Sequence, residues 1–203
     1  MNRSEAPTVS VVIPCYNREK YIAATVESVF AQTWPHVELL VVDDGCTDRS
    51  RAILAAYGDR LTLLEHPGRG NRGQSASINL ALRRCRGEYV AILDSDDLFA
   101  PEKLEMQVRF LEEHPEVGAV YANCIYIDEN GRDLYPMYPP GHTPPSGPDE
   151  VLLDCCYNVP SNALCRRSVY ERIGFFDESL RSAQDHDVAI RIAEAARIGY
   201  LDE

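Results

Sequence analysis

Apolar residues in the first part of the chain fall into short continuous runs, with amphipathic stretches of helical period between them. Residues 8–13 are largely β-branched and apolar and stop at Pro14, which predicts a central strand. A helix over about 18–32 follows, with Asn17 as its N-cap and Tyr21, Ile22, Val26, Val29 and Phe30 on one face. Residues 37–42 predict a second strand, Asp48 caps a helix to about Tyr57, and 61–64 predict a third strand. A loop rich in glycine and arginine, 66–73, leads into a helix over about 74–84, and Gly87 punctuates the chain before a fourth strand. Strands alternating with helices over short links imply a doubly wound α/β fold, a mostly parallel sheet with helices on both faces.

The pattern loosens afterwards. Pro101 opens a helix that carries Leu104, Val108, Phe110 and Leu111 to His114-Pro115, and 117–127 predict another strand. Residues 135–145 are too rich in proline for regular structure and read as a surface or substrate-facing loop. Helical pieces follow at about 149–156, 167–173 and 185–196, and no internal repeat is present. The 203 residues suit a single domain, 1–203, divided into a regular part over about 8–128 and a looser part over about 129–203.

The fourth strand is where chemistry concentrates. In Tyr89-Val90-Ala91-Ile92-Leu93-Asp94-Ser95-Asp96-Asp97, an apolar run buried on both faces delivers acids to the edge of a sheet. Carboxylates so close repel one another, and a hard divalent cation, Mg²⁺ or Mn²⁺, shared with a substrate's phosphate oxygens is their natural partner. The plainer reading is an acidic turn that caps the next helix; Asp97 suits that role, but Asp94 and Asp96 are left over. An extended backbone would turn Asp94 and Asp96 to one side and Asp97 to the other.

Composition narrows the partners. A net charge of −12 argues against nucleic acid, because binding a phosphate backbone needs a concentrated basic surface. The seven cysteines, Cys15, Cys46, Cys85, Cys124, Cys155, Cys156 and Cys165, form no C-x-x-C pair and suit reduced cytosolic thiols. No apolar h-region opens the chain and no run is long enough to span a bilayer, so the chain as given reads as soluble, with any membrane contact made through its substrate or a partner.

Gly68-Arg69-Gly70-Asn71-Arg72-Gly73 is a literal G-x-G-x-x-G. As a dinucleotide fingerprint it fails on position, since it follows the third strand rather than the first and His66-Pro67 intervenes. A flexible basic loop near a diphosphate accounts for the same residues. Three strand ends, at Pro14-Cys15-Tyr16, Asp43-Asp44 and Asp94-Ser95-Asp96, point the same way in a parallel sheet and line one crevice. There Tyr16 offers a ring for stacking a base or is simply a half-buried aromatic, Asp44 can accept from an N–H of uracil, and Asp94 can accept from ribose hydroxyls.

These segments together, Val9 to Arg18, Val41 to Asp48 and Gly87 to Asp97, resemble the signature segments of family 2 glycosyltransferases, inverting enzymes of the GT-A fold. Gly174-Phe175-Phe176-Asp177-Glu178 with Asp185-His186-Asp187 is similar to the family's acceptor-side segment, so the resemblance covers nearly the whole chain. It implies a nucleotide-binding part over about 8–128 and an acceptor-side part over about 129–203. It implies that Pro14, Tyr16 and Asp44, with Asn17 beside them, hold the nucleotide. Asp94 and Asp96 would be the D-x-D element, with Asp96 the principal ligand of Mn²⁺ or Mg²⁺, and Asp185 the catalytic base.

The donor would be a nucleotide-diphosphate sugar, a UDP-sugar in the first place, and the acceptor a hydroxyl-bearing glycan or glycolipid. The setting would be cell-surface polysaccharide or glycoconjugate synthesis by a cytoplasmic protein, peripheral to the inner face of the membrane through its acceptor. Asp185 also suits an N-cap of the helix bearing Val188, Ile190 and Ile192, while His186 suits surface or packing.

Three departures from the family pattern stand out. Cys15 and Cys46 occupy places more often held by Thr or Ser, and Gln184 replaces the acid that commonly precedes the base. The chain ends at Gly199-Tyr200-Leu201-Asp202-Glu203, where the family continues into a further strand and often a histidine-bearing segment over the diphosphate, so a truncated domain is expected. Two rival readings remain: a sugar-1-phosphate nucleotidyltransferase, which would want its basic glycine loop after the first strand, and a nucleotide-sugar-binding module without turnover.

Overall fold

The computed structural model describes residues 8–153 and 162–202. In chain order the strands are β1 (Val9–Cys15), β2 (Val37–Asp43), β3 (Thr62–Glu65), β4 (Tyr89–Ile92), β5 (Val117–Ala122), β6 (Ile125–Ile127), β7 (Asp133–Pro136), β8 (Ala163–Arg166) and β9 (Arg197–Leu201). Seven form one sheet in the order β3-β2-β1-β4-β8-β5-β9, parallel except where β8 runs antiparallel between β4 and β5. The helices are α1 (Ile22–Phe30), α2 (Ser50–Ala55), α3 (Gln74–Leu82), α4 (Lys103–Glu113), α5 (Pro148–Leu153), α6 (Arg167–Ile173) and α7 (Gln184–Ala195).

Why the sheet is covered on both sides follows from the alternation along its strands. Val9, Val11 and Ile13 of β1, Leu39 and Val41 of β2 and Tyr89 and Ala91 of β4 face one core, which α1, α2 and α4 close with Ile22, Val26, Leu54, Leu104 and Val108. Val12, Leu40, Val42, Val90 and Ile92 face the other, closed by α3, α6 and α7 through Ile78, Leu82, Val169, Val188 and Ile192. The expected doubly wound, mostly parallel α/β sheet is the observed one. Pro14 is not a stop, because β1 runs on to Cys15; its pairing with β4 ends at Val12–Ile92, so the proline lies where only β2 remains as a partner.

Several expected boundaries move for identifiable reasons. The first helix begins at Ile22 rather than near Arg18, and Asn17 does not cap it. Asn17 has φ 53° and turns its carboxamide oxygen to the Thr47 N–H at 2.8 Å, while Ser50 Oγ and Asp48 Oδ2 accept the N–H groups of Arg18 and Glu19. The second helix has Arg49, not Asp48, at its N-cap; Asp48 stands one residue earlier and accepts the Ser50 N–H at 2.9 Å. Asp97 does not serve the next helix: α4 starts at Lys103, and the Asp97 N–H instead closes a turn onto the Asp94 carbonyl at 3.1 Å.

The strand expected over 117–127 is two strands. At Asn123 the side-chain oxygen accepts the N–H of Cys124 and of Tyr138, which takes the chain out of the large sheet and into a separate hairpin of β6 and β7. That hairpin includes Tyr135 and Pro136, so the proline-rich stretch begins in regular structure; a two-stranded ribbon is all edge and tolerates proline at a strand end. β8 and β9 have no counterpart among the expected strands, being short and without a long apolar run. The tail of the helix expected over 149–156, with Cys155 and Cys156, lies outside the described residues.

Candidate nucleotide and catalytic site

The sheet order places β1 between β2 and β4, and an open cleft of about 370 Å³ lies at their carboxyl ends. It is lined by Pro14, Cys15, Tyr16 and Arg18 after β1, Asp44 after β2, Asn71, Gly73 and Gln74 at the start of α3, and Asp94, Ser95 and Asp96 after β4. The three strand ends expected to share a crevice therefore do. Tyr16, 45% exposed, is part of this lining.

Asp44 is buried, and both its oxygens already hold the glycine loop: Oδ1 accepts the Arg72 N–H at 2.7 Å and Oδ2 the Gly73 N–H at 3.0 Å. A carboxylate accepts about four hydrogen bonds, so capacity for a base N–H remains. Gly45, at φ 78°, lets this loop close in, since a Cβ there would stand 2.8 Å from the Asn71 backbone nitrogen. The loop follows β3, an edge strand, and the residues around it are pinned to Asp44, so it is a cleft wall rather than a dinucleotide turn. His66, which sequence reasoning passed over, is buried with Nε2 3.0 Å from Ser77 Oγ and 3.5 Å from Asp44 Oδ1.

Asn17 stays outside the cleft lining, its carboxamide committed to Thr47 and Asp48, and so it acts on the cleft by shaping the loop beyond Gly45. Asp43 is likewise structural. Burial alone would push its carboxyl up, but the Cys46 N–H and the Arg51 guanidinium, 2.6 Å away, outweigh that and hold it below the usual carboxylate range.

At the β4 end the acids crowd. Asp94 is pushed up to about 7, first by burial and then by the negative charges of Asp97, Asp185 and Asp96, with Arg18 opposing. Asp96 meets Arg18 at 3.0 Å, both side chains more than two-fifths exposed, an ion pair weak enough to be exchanged for another partner. Arg18 is a second residue that sequence reasoning did not single out; only the fold carries it across from β1 to Asp96. Asp94 and Asp96 are two hard oxygen donors on one cleft wall amid excess negative charge, a donor set that fits Mg²⁺ or Mn²⁺. Among the described residues no group of three or more His, Cys, Asp or Glu is gathered to hold an ion unaided, so the rest of a shell would come from phosphate oxygens and water.

Asp185 lies in the first turn of α7, and the N-cap is Ala183, so capping is not its role. Burial raises its carboxyl above the ordinary range, and its charge is felt at Asp94, which puts it on the same side of the molecule as the cleft acids. The neighbouring carboxylates are committed elsewhere: Asp187 pairs with Arg191, Asp177 accepts the Ser179 N–H, and Glu178 binds Asn79 and Arg83. His186 bonds the Val151 carbonyl at 2.7 Å, joining α7 to α5, a packing role as expected.

Comparison with known proteins agrees with this arrangement. An uncharacterized glycosyltransferase of Rickettsia typhi is 29% identical over 200 residues, 97% of this chain and 62% of that protein. The crystal structure of S. aureus TarS 1-349 in complex with UDP-GlcNAc superposes with a TM-score of 0.77 at 28% identity, covering 97% of this chain and 56% of that one. A mannosyltransferase of Pyrobaculum calidifontis, PcManGT, in complex with GDP-Man and Mn²⁺, gives 0.71 at 25% identity over 98% of this chain and 56% of that one. The chain thus spans roughly three-fifths of the length of such relatives. The sequence signature of glycosyl transferase family 2 matches residues 10–174, and with the sheet order and cleft described above it establishes that the chain belongs to that family.

Proposed function

We propose that this chain carries the donor-binding and catalytic part of a metal-dependent, inverting glycosyltransferase that moves a sugar from a nucleoside diphosphate, UDP in the first place, to an acceptor hydroxyl. The observation that carries this reading is the convergence of Tyr16, Asp44, Asp94 and Asp96 on one cleft at the carboxyl ends of β1, β2 and β4. TarS, whose complex holds UDP-GlcNAc, and PcManGT, whose complex holds GDP-Man and Mn²⁺, support it from outside.

Tyr16 stacks the base, and Asp44 accepts from a base N–H while it keeps the glycine loop in place. Asp94 and Asp96 would hold Mn²⁺ or Mg²⁺, which when bound supplies positive charge to the departing diphosphate. Arg18 lies beside Asp96, and its guanidinium can turn to a phosphate oxygen. Asp185 removes the proton of the acceptor hydroxyl as that oxygen attacks the anomeric carbon from the face opposite the diphosphate, which inverts the configuration. Its raised proton affinity suits a general base, since a stronger base captures the proton more completely.

Titration calorimetry with UDP in Mn²⁺ and in EDTA tests the reading. Binding tightens with Mn²⁺; equal affinity in both would remove the metal assignment, and tighter binding of NAD than UDP would remove the sugar-nucleotide one. Product analysis after incubation with a UDP-sugar separates glycosyl transfer, which frees UDP, from nucleotidyl transfer, which exchanges pyrophosphate.

A further inference from the structure

One hydrogen-bond path joins Asp94, just after β4, to the helix that bears Asp185. Gln74, the first residue of α3, donates from Nε2 to Asp94 Oδ1 at 2.8 Å, and its Oε1 accepts from Gln184 Nε2 at 2.9 Å. Gln184 is the first residue of α7 and directly precedes Asp185. The direction of the path is dictated by chemistry. In the ionised form that binds a cation, Asp94 has no proton to give, so Gln74 turns its NH₂ to Asp94 and its carbonyl oxygen away, as observed. That oxygen then requires a donor, and the Gln184 amide is the one supplied. A carboxylate at position 184 would instead demand the Gln74 NH₂ for itself, rotate the amide, and bring a carbonyl oxygen against Asp94.

We propose that Gln74 is a positioning residue that fixes the Asp94 carboxylate for the cation, and that Gln184 acts through it by setting which way the amide faces. The relay holds together the leaving-group and acceptor sides of the site. It rests on the reading of Asp94 as a donor-side ligand. Groups outside the ligands that orient them typically change metal affinity by 10–100-fold when altered, which sets the scale of the effect.

The test is a double-mutant cycle of Gln184→Glu, Gln74→Ala and the two combined, read by calorimetry with UDP in Mn²⁺ and in EDTA. Gln184→Glu is expected to weaken the Mn²⁺-dependent gain in UDP affinity about tenfold in the parent protein, to leave affinity in EDTA unchanged, and to do little further once Gln74 is alanine. Gln184→Met, which removes the donor without adding charge, gives a smaller loss in the same direction and serves if the glutamate variant does not fold. An equal loss from Gln184→Glu in both backgrounds, or no loss in either, overturns the relay. The side-chain amide resonances of Gln74, assigned through Gln74→Ala, read the relay without nucleotide. If the parent shows no Mn²⁺ effect, the metal reading fails, and this spectrum decides the relay by itself. A Gln74 amide that shifts on Gln184→Glu upholds the relay, and one that stays overturns it.

Discussion

At the residue scale, the cleft separates carboxylates by what already holds them. Asp43 is buried and balanced by Arg51, Asp187 is balanced by Arg191, and Asp44 anchors a loop. Asp185 is half-buried and raised in proton affinity, near Asp94 but away from the ion pairs. Asp185→Asn is nearly isosteric and should lower turnover by roughly a hundredfold or more while leaving UDP affinity within error, because a general base acts in the transition state more than in donor binding. Single-turnover rates beside calorimetry check this, and a variant that transfers sugar at the parent rate sinks the assignment. The same scale gives meaning to Gln184: its neutral amide has a partner, Gln74, whose carbonyl oxygen needs a donor.

Among the elements, the most consequential contact is between the turn after β2 and the loop before α3. Gly45 has φ 78°, and any Cβ would press on the backbone of residues 69–71 at 2.8–3.0 Å, a contact with main chain that cannot rotate aside. Gly45→Ala should therefore cost about 1–3 kcal/mol and also displace the 70–73 wall of the cleft, weakening UDP binding. Gly70→Ala, whose Cβ meets nothing within 4 Å, is the control and should do neither. Urea denaturation and calorimetry on the pair check the prediction; similar stability and similar affinity for both variants would mean the loop is not held as described.

Over the whole molecule, two cores sandwich a sheet, and Lys103 stands half-buried against them. Lys103 opens α4 with its ammonium 2.7 Å from Gln107 Oε1 and 4.4 Å over the Phe99 ring, and burial pushes it down to about 7. Between about 7 and the usual lysine range the unfolded chain binds the proton that the folded chain has released, so stability rises with pH across that window. Lys103→Met keeps the length of the side chain, removes the cost of burying charge and should flatten this slope. The melting temperature at pH 7 should rise by about 2–4 °C for each kcal/mol gained. Melting curves from pH 6.5 to 9 check it, and an unchanged slope would show that Lys103 stays charged in the fold. No helix among the described residues is long and apolar enough to cross a membrane.

What the chain alone determined is whatever depends on local pattern. Strict runs such as Val9 to Ile13 and Tyr89 to Leu93 can be buried on two faces only in a sheet flanked by helices, so fold class, strand direction and the meeting of three strand ends were readable from spacing. The turn at Asp94–Asp97, where an extended backbone was expected, was not, because it is closed by a hydrogen bond from the Asp97 N–H to the Asp94 carbonyl that no side-chain pattern announces. Nor was β8, a four-residue strand whose place between β4 and β5 comes from pairing on both sides rather than from its own sequence. Arg18 with Asp96, His66 with Asp44, and Gln184 with Gln74 are 78, 22 and 110 residues apart. Polar side chains carry no periodicity that betrays a partner at such range. Only closure of the sheet, driven by the apolar faces, brings these groups within hydrogen-bond reach, and only then is it settled which acids are spent on structure and which are left for chemistry.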